Sequence, residues 1–387
     1  MSLEYTAQVS PFHKKFIIIY HMNTLNEFSR AGILLNAIKA PYEIFEKLCG
    51  NYEPDELFKG EKFWDELGLN KNKQEKLSNL ISQNWAEKEF SKLEKIDSRF
   101  ITSKDLDYPA KLKDLSKPPI GLYVRGSANI SLPSVAIVGT RKCSDYARTT
   151  ATNLAKALAG QNIIVISGGA RGIDTAGHRG ALEADGVTIS VFGTGIDRVY
   201  PAENRDLFLR ILERGALISE FPLGTGGEAW RFPERNRIIV GMASRVIVVE
   251  SPEGGGAMLT ARAALKLNRE VWSVPGRISD DVCRGTNELF NEGAKATISI
   301  NDFVAKIAGV NEQLNLNFDE PAPKYSAPVL SDEEKIIYSL IQRQGGKLAD
   351  EILNESKLDF MTMQEALMNL EANGLIINSS GRYSATA

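Results

Sequence analysis

The chain has 387 residues, 43% of them hydrophobic and 25% charged, with a formal net charge of −3. That is the profile of a soluble globular protein too long for one core, so two or three domains are expected. No apolar run approaches the roughly 20 residues of a membrane span, no secretion signal stands out, and three distant cysteines and three scattered histidines argue against disulfides and metal sites; a cytoplasmic protein is expected.

Residues 1–97 are rich in Lys and place apolar residues at helical spacing in FSRAGILLNAIKAPYEIFEKL and KLSNLISQNWAEKEFSKL, which predicts an N-terminal helical domain. Residues 98–308 alternate β-branched apolar runs with helical stretches. Strands are predicted at Ser134–Val138, Ile163–Ser167, Thr188–Phe192, Ala216–Ser219, Val246–Glu250 and Glu270–Val274. Helices are predicted at Tyr146–Ala159, Gly172–Glu183, Asn204–Arg214 and Leu259–Leu267. Such runs joined by helical crossovers imply an α/β fold with a doubly wound, mainly parallel sheet covered on both faces. Another apolar run, Ile238-Ile239-Val240, comes after the Arg-rich turn WRFPERNR and reads as the start of a further buried strand. Residues 309–328 read as a proline-bearing linker, and 329–387 as a compact tail.

In a doubly wound sheet the ligand sits at the carboxyl ends of the strands. The glycines gather there, in VGTRKCS, SGGARGID, FGTGIDRVYPAEN and PEGGGAMLT. Glycine loops opening helices aim free N–H groups and a positive dipole end at anions. The cations are also particular: from 131 to 300, 16 of 20 basic residues are Arg, against 5 of 26 elsewhere. Arg presents a planar fork that fits phosphate and stacks on bases, where Lys is a solvated point charge. Gly139-Thr140-Arg141 sets an arginine where a dinucleotide fingerprint needs its second glycine, and GGGAMLT lacks the Walker lysine. NAD and NTP turnover are therefore disfavoured. Arg141, Arg171, Arg231, Arg235 and Arg237 with ring faces at Phe232 and Tyr200 fit the pattern of single-strand recognition, in which cations track phosphates and aromatics take bases. Alone, Phe232 would read rather as a turn aromatic packed in the core. Asp174 and His178, four apart on a helix, read as an acid–base couple or as a helix-stabilising pair.

Taken together and in order, AIVGTRKCSDYA, SGGARGIDTAGH, VFGTGIDRVYPAEN, SEFPLGT, FPERNRIIVGMASRVIVVES, the LTA at 259–261, VPG and GTNELFNEGA resemble the DNA-processing protein A family (DprA, also called Smf) over residues 98–305. The resemblance implies an extended Rossmann-like domain that binds single-stranded DNA, protects incoming DNA in natural transformation and loads a RecA-type recombinase, with no turnover reaction. It also implies a homodimer, an N-terminal sterile-alpha-motif or helix-hairpin-helix-like domain and a C-terminal winged helix. Matched residue by residue, it points to Gly139, Arg141, Ser144, Gly168, Gly169, Phe232, Arg235, Asn236, Arg237 and Thr260. With Arg171, Arg231 and Gly256 from the same loops, these form the expected nucleic-acid site, with no catalytic residue, metal or cofactor. Two departures stand out: Gly254-Gly255-Gly256-Ala257 replaces the family's Ser-Gly-Ser, and Ala147 stands where Gly is usual. The glycine loop also resembles, more loosely, that of nucleoside monophosphate phosphoribohydrolases. Leu259-Thr260-Ala261-Arg262 supplies no glutamate for that reaction.

In the tail, Ser331 with Glu334 forms a capping box for a helix reaching Gln344. A second helix is expected at Lys347–Asn354, and a third capped by Thr362 with Glu365 and stopping at Gly374. Leu375–Asn378 and Arg382–Ser384 then pair as a wing. From 325 to 387, 5 basic residues stand against 9 acidic, so the tail is expected to repel a phosphate backbone.

Overall fold

The computed structural model describes residues 26–130, 132, 134–308, 330–342, 347–373, 375–379 and 381–385. The chain divides into two units at 311/312. The predicted linker and residues 1–25 lie outside the described residues.

In the first unit Asn26 accepts a hydrogen bond from the Ser29 N–H at 2.7 Å and so caps α1 (Glu27–Ala37). Helices α2 (Tyr42–Asn51), α3 (Glu61–Leu67), α4 (Lys71–Ser82) and α5 (Trp85–Lys95) come next. Their apolar faces converge on Leu34, Phe45, Trp64 and Leu77, a cluster that also takes in Phe100, Tyr123 and Ile196 from beyond residue 97. Each such side chain, fully buried, contributes about 1.5–3 kcal/mol, so the helices are seated firmly on the α/β part of the chain.

The chain continues through β1 (Ser98–Thr102), β2 (Gly121–Gly126), β3 (Ser134–Val138), α6 (Asp145–Gly160), β4 (Ile164–Ser167) and α7 (Ile173–Glu183). Next come β5 (Thr188–Phe192), α8 (Arg205–Arg214), β6 (Ala216–Ser219), α9 (Arg231–Met242), β7 (Ala243–Val248) and α10 (Gly256–Lys266). The unit closes with β8 (Glu270–Ser273), α11 (Arg284–Glu288), β9 (Lys295–Ala296) and α12 (Ile300–Ala308). One sheet collects the nine strands in the order β1-β2-β6-β5-β4-β3-β7-β8-β9. From β6 to β9 every pair is parallel, and β2 and β1 add an antiparallel edge. Ile239, Val240 and Met258 cover one face, and Leu154, Leu158 and Phe303 the other. The predicted α/β, Rossmann-like layering is therefore present. The chain steps outward from β3 to β6 and then returns to place β7 beside β3, so the order reverses between these two strands.

Two departures from the sequence reading matter. The edge strands β1 and β2 were not among the predicted strands. More consequentially, Ile238, Ile239 and Val240 are not a strand: they lie buried in the last turns of α9, which passes into β7 at Ala243 without a loop. An unbroken apolar run fits a buried helix end as well as a strand, and here the packing decides for the helix. Strand β7 accordingly spans Ala243–Val248, earlier than predicted.

In the second unit the Ser331 N–H donates to Glu334 at 2.8 Å and the Glu334 N–H donates to Ser331 Oγ at 3.1 Å, the expected capping box of α13 (Asp332–Gln342). The helix end predicted at Gln344 lies outside the described residues. Lys347–Leu348 forms β10 instead of opening a helix, and α14 (Ala349–Ser356) starts after it. Helix α15 (Phe360–Ala372) is capped by Asp359, which accepts from the N–H groups of Met361 and Thr362; the predicted cap, Thr362, is already inside the helix. Strands β11 (Ile376–Ser379) and β12 (Arg382–Ala385) complete an antiparallel sheet of order β10-β12-β11.

Candidate nucleic-acid interface

At the carboxyl ends of β3, β4 and β5 the loops meet the first turns of α9 around a pocket of about 40 Å³ lined by Arg141, Gly168, Ala170, Arg171, Tyr200, Pro201, Phe232 and Arg235. That is room for roughly three water-sized groups, which suits the oxygens of a phosphate. Three guanidiniums converge on it.

Because 231–242 is a helix, its side chains sort by helical period. Phe232, Arg235 and Asn236 stand at i, i+3 and i+4 and share a face, whereas Arg237, two positions past Arg235, points elsewhere. Arg235 is 4% exposed. Its Nη1 donates to the Gly168 carbonyl at 2.6 Å and, in a very short contact, to the Val191 carbonyl, while its Nε donates to Asn236 Oδ1 at 3.1 Å. Burial pulls its pKa down to about 10, with buried Asp174 opposing that fall. Asp174, whose own pKa burial raises, accepts from the Ala170 N–H at 3.2 Å. Arg235 thus lies at the pocket's floor as a cation tied to main-chain carbonyls.

Arg141 is exposed, and its guanidinium lies 5.4 Å from the centroid of the half-buried Phe232 ring. The Tyr200 ring, 46% exposed, lies 5.2 Å from Phe232 and is tilted 32° to it. Arg171 pairs with Glu203, both exposed; such pairs exchange easily for another anion. Gly169, at φ +68°, turns the chain between Gly168 and this pair.

The point where the strand order reverses, where α/β sheets usually hold their ligands, is closed. Glu250, 2% exposed, stands there just beyond β7. Its carboxylate accepts from the Ser144 N–H at 2.8 Å and the Ser144 hydroxyl at 2.6 Å, and its carbonyl accepts from the Thr140 N–H at 2.7 Å. Ser144 also caps α6 through the Ala147 N–H at 3.1 Å. Gly139 lies against Ile173 and the Glu250 carbonyl. A carboxylate of the chain itself thus occupies the anion position at the start of α6. The open pocket is displaced toward β5.

The remaining predicted residues stand apart from the pocket lining. Arg237 forms a very close pair with Glu220 and donates to the Lys117 carbonyl at 2.7 Å. Arg231 pairs with Glu228 at 3.0 Å and donates to the Gly226 carbonyl at 2.6 Å. Asn236 donates to Thr260 at 2.9 Å, and Thr260 to the Gly256 carbonyl at 3.4 Å, so these three connect the pocket floor to the first turn of α10. His178 is fully buried and outside the pocket. Thr188 donates to the Val165 carbonyl and so accepts from His178 Nδ1 at 2.7 Å; burial drops the imidazole pKa to about 3. Sequence reasoning missed Glu250 and Trp230, the former for want of any signal beyond its place at a strand end. Among the described residues no His/Cys/Asp/Glu cluster could hold a metal and no helix is long and apolar enough to cross a membrane.

Residues 99–308 match the family model described as DNA recombination-mediator protein A. Protein Smf of Synechocystis is 37% identical over 217 residues, which is 55% of this chain and 54% of that protein; the chain thus spans about half the length of that relative. Among solved structures, DNA processing protein A from Streptococcus pneumoniae is similar with a TM-score of 0.63 at 30% identity, over 73% of this chain and 98% of that one. The protein of the same name from Helicobacter pylori, whose structure concerns a single-stranded DNA binding mode, is similar with a TM-score of 0.50 at 28% identity, over 55% of this chain and 96% of the other. The matched segment holds every strand and glycine loop of the pocket, and on that footing the chain belongs to the DNA recombination-mediator protein A family.

Proposed function

We propose that the pocket binds single-stranded DNA, with Arg141, Arg171 and the floor cation Arg235 receiving a phosphate and the Tyr200–Phe232 ring pair receiving a neighbouring base. The observation that carries the reading is the Arg141–Phe232–Tyr200 group standing over a buried arginine: cations and ring faces alternate on the scale of one nucleotide. Binding of this kind reads backbone and stacking, so little base preference is expected. The single-stranded DNA binding of the Helicobacter pylori relative supports the same assignment. In this reading the protein is a binding protein and not an enzyme, self-associates, and hands its strand to a RecA-type recombinase. The acidic tail, with three helices and a small antiparallel sheet, is a winged helix serving protein contacts.

The test is equilibrium binding to single-stranded and duplex oligonucleotides across a salt series. Single strands are expected to win, with log K falling against log salt at about −0.7 per phosphate contacted. Preference for duplex, or a flat salt response, would remove the assignment. Base release from nucleoside monophosphates, assayed alongside, would replace it with phosphoribohydrolase chemistry.

A further inference from the structure

Trp230, the residue before α9, is 49% exposed, yet its indole is held in one attitude. Its Nε1 donates to the Glu228 carboxylate at 2.6 Å, and the Phe221 ring meets it edge-on at 6.5 Å. Lys39 Nζ stands 4.2 Å from its centroid and the Arg231 guanidinium 4.9 Å. An exposed aromatic that is already ordered loses little freedom on binding a flat partner. Its position gives it a partner. Phe232, two residues on, lines the arginine pocket. On the other side Lys39 and Phe221 line a cleft of about 480 Å³ that also includes Tyr42 and Asn36. Trp230 thus adjoins the pocket through the chain at Phe232 and touches Lys39 and Phe221 of a cleft large enough for a nucleoside.

Resting on the assignment of the pocket to single-stranded DNA, we infer that Trp230 is a second stacking station, where a strand leaving the Arg141–Phe232 pocket lays another base on its way to the cleft beside α1. Lys39 is matched by Glu234 at 3.5 Å, and Arg231 by Glu228. The station therefore adds a ring face without adding net positive charge. Its contribution is one of stacking, set by strand length and insensitive to salt.

The test uses the full chain and oligo(dT) of about 4 and about 15 nucleotides, a span covering single-strand site sizes. Trp230→Ala is expected to weaken binding of the longer oligomer roughly tenfold, to leave the shorter one unchanged and to keep the salt slope. Trp230→Phe is expected to restore most of the loss, which guards against a folding artefact. In the wild type, the longer oligomer is expected to quench indole fluorescence and the shorter one not. Equal affinity of wild type and Trp230→Ala for both lengths overturns the second station while leaving the pocket assignment in place. Failure of the wild type to bind either oligomer overturns both.

Discussion

Arg235 and Gly168 hold one another in place: Nη1 of the arginine takes the Gly168 carbonyl at 2.6 Å, and a Cβ built on Gly168 would lie 2.3 Å from Nη2 of the same guanidinium. This guanidinium cannot swing aside, because the Val191 carbonyl and Asn236 hold it as well. Gly168→Ala is therefore expected to lower stability by about 1–3 kcal/mol through overpacking and to weaken single-strand binding by displacing the floor cation. Gly254→Ala, where an added Cβ meets nothing within 4 Å, is the matched control and should do neither. Urea midpoints and oligonucleotide affinities for both variants decide it.

Two arginines that look equivalent in sequence should separate by experiment. Arg141→Ala is expected to keep the melting temperature, weaken every single strand and make the salt slope shallower by about 0.7. Arg235→Ala leaves two buried carbonyls and Asp174 without their cation, so a stability loss on the order of 3 kcal/mol should come with its binding defect. If Arg235→Ala melted like the wild type, the buried anchor described for it would be wrong.

Phe232→Ala removes a ring packed against both Arg141 and Tyr200. The expected loss is about 1–3 kcal/mol of single-strand affinity with the salt slope intact. Tyr200→Ala should give a similar loss. A fall in melting temperature with affinity preserved would make Phe232 a core residue only.

His178 links stability to acid. Its pKa is about 3 folded against 6.5 as the ordinary value, so the unfolded chain binds the extra proton between these limits. The stability it contributes is complete above pH 6.5 and is lost as pH falls toward 3, with a slope of up to about 1.4 kcal/mol per pH unit. Replacing it by Gln should flatten the difference between urea midpoints at pH 7 and pH 4.5. An unchanged difference would mean that the imidazole charges without unfolding.

Removing the tail after residue 324 is expected to leave single-strand affinity within a few-fold, because residues 325–387 carry 9 acidic against 5 basic side chains and repel phosphate. A tenfold loss, about 1.4 kcal/mol, would give the tail a part in the DNA site.

Much of the fold was legible because buried parallel strands write themselves as unbroken β-branched runs: β3, β5 and β6 lie where the sequence puts them, to the residue. The edge strands were harder to read because Ser98–Thr102 and Gly121–Gly126 are short and mix polar and apolar residues, although Pro118-Pro119 before β2 was a turn signal. At the site, reading Ile238–Val240 as a strand hid the helical period of the residues before it. Once Arg231–Met242 is helical, Arg235 must point to Phe232's side and Arg237 to another. The partners of Arg171 and Arg237 were beyond the sequence, because Glu203 and Glu220 reach them only through tertiary contact.

The carboxylate of Glu250 at the start of α6 has a consequence for competition inside a cell. Free mononucleotides are abundant there, and a phosphate seat at the reversal of strand order would be filled by them. In this chain that seat is already taken by a side chain bound to Ser144, so a small metabolite gains nothing by docking there. A phosphate is left with the pocket displaced toward β5, lined by Arg141, Arg171 and Arg235. Under the proposed single-strand binding, a strand therefore competes with mononucleotides at one phosphate seat and not at two.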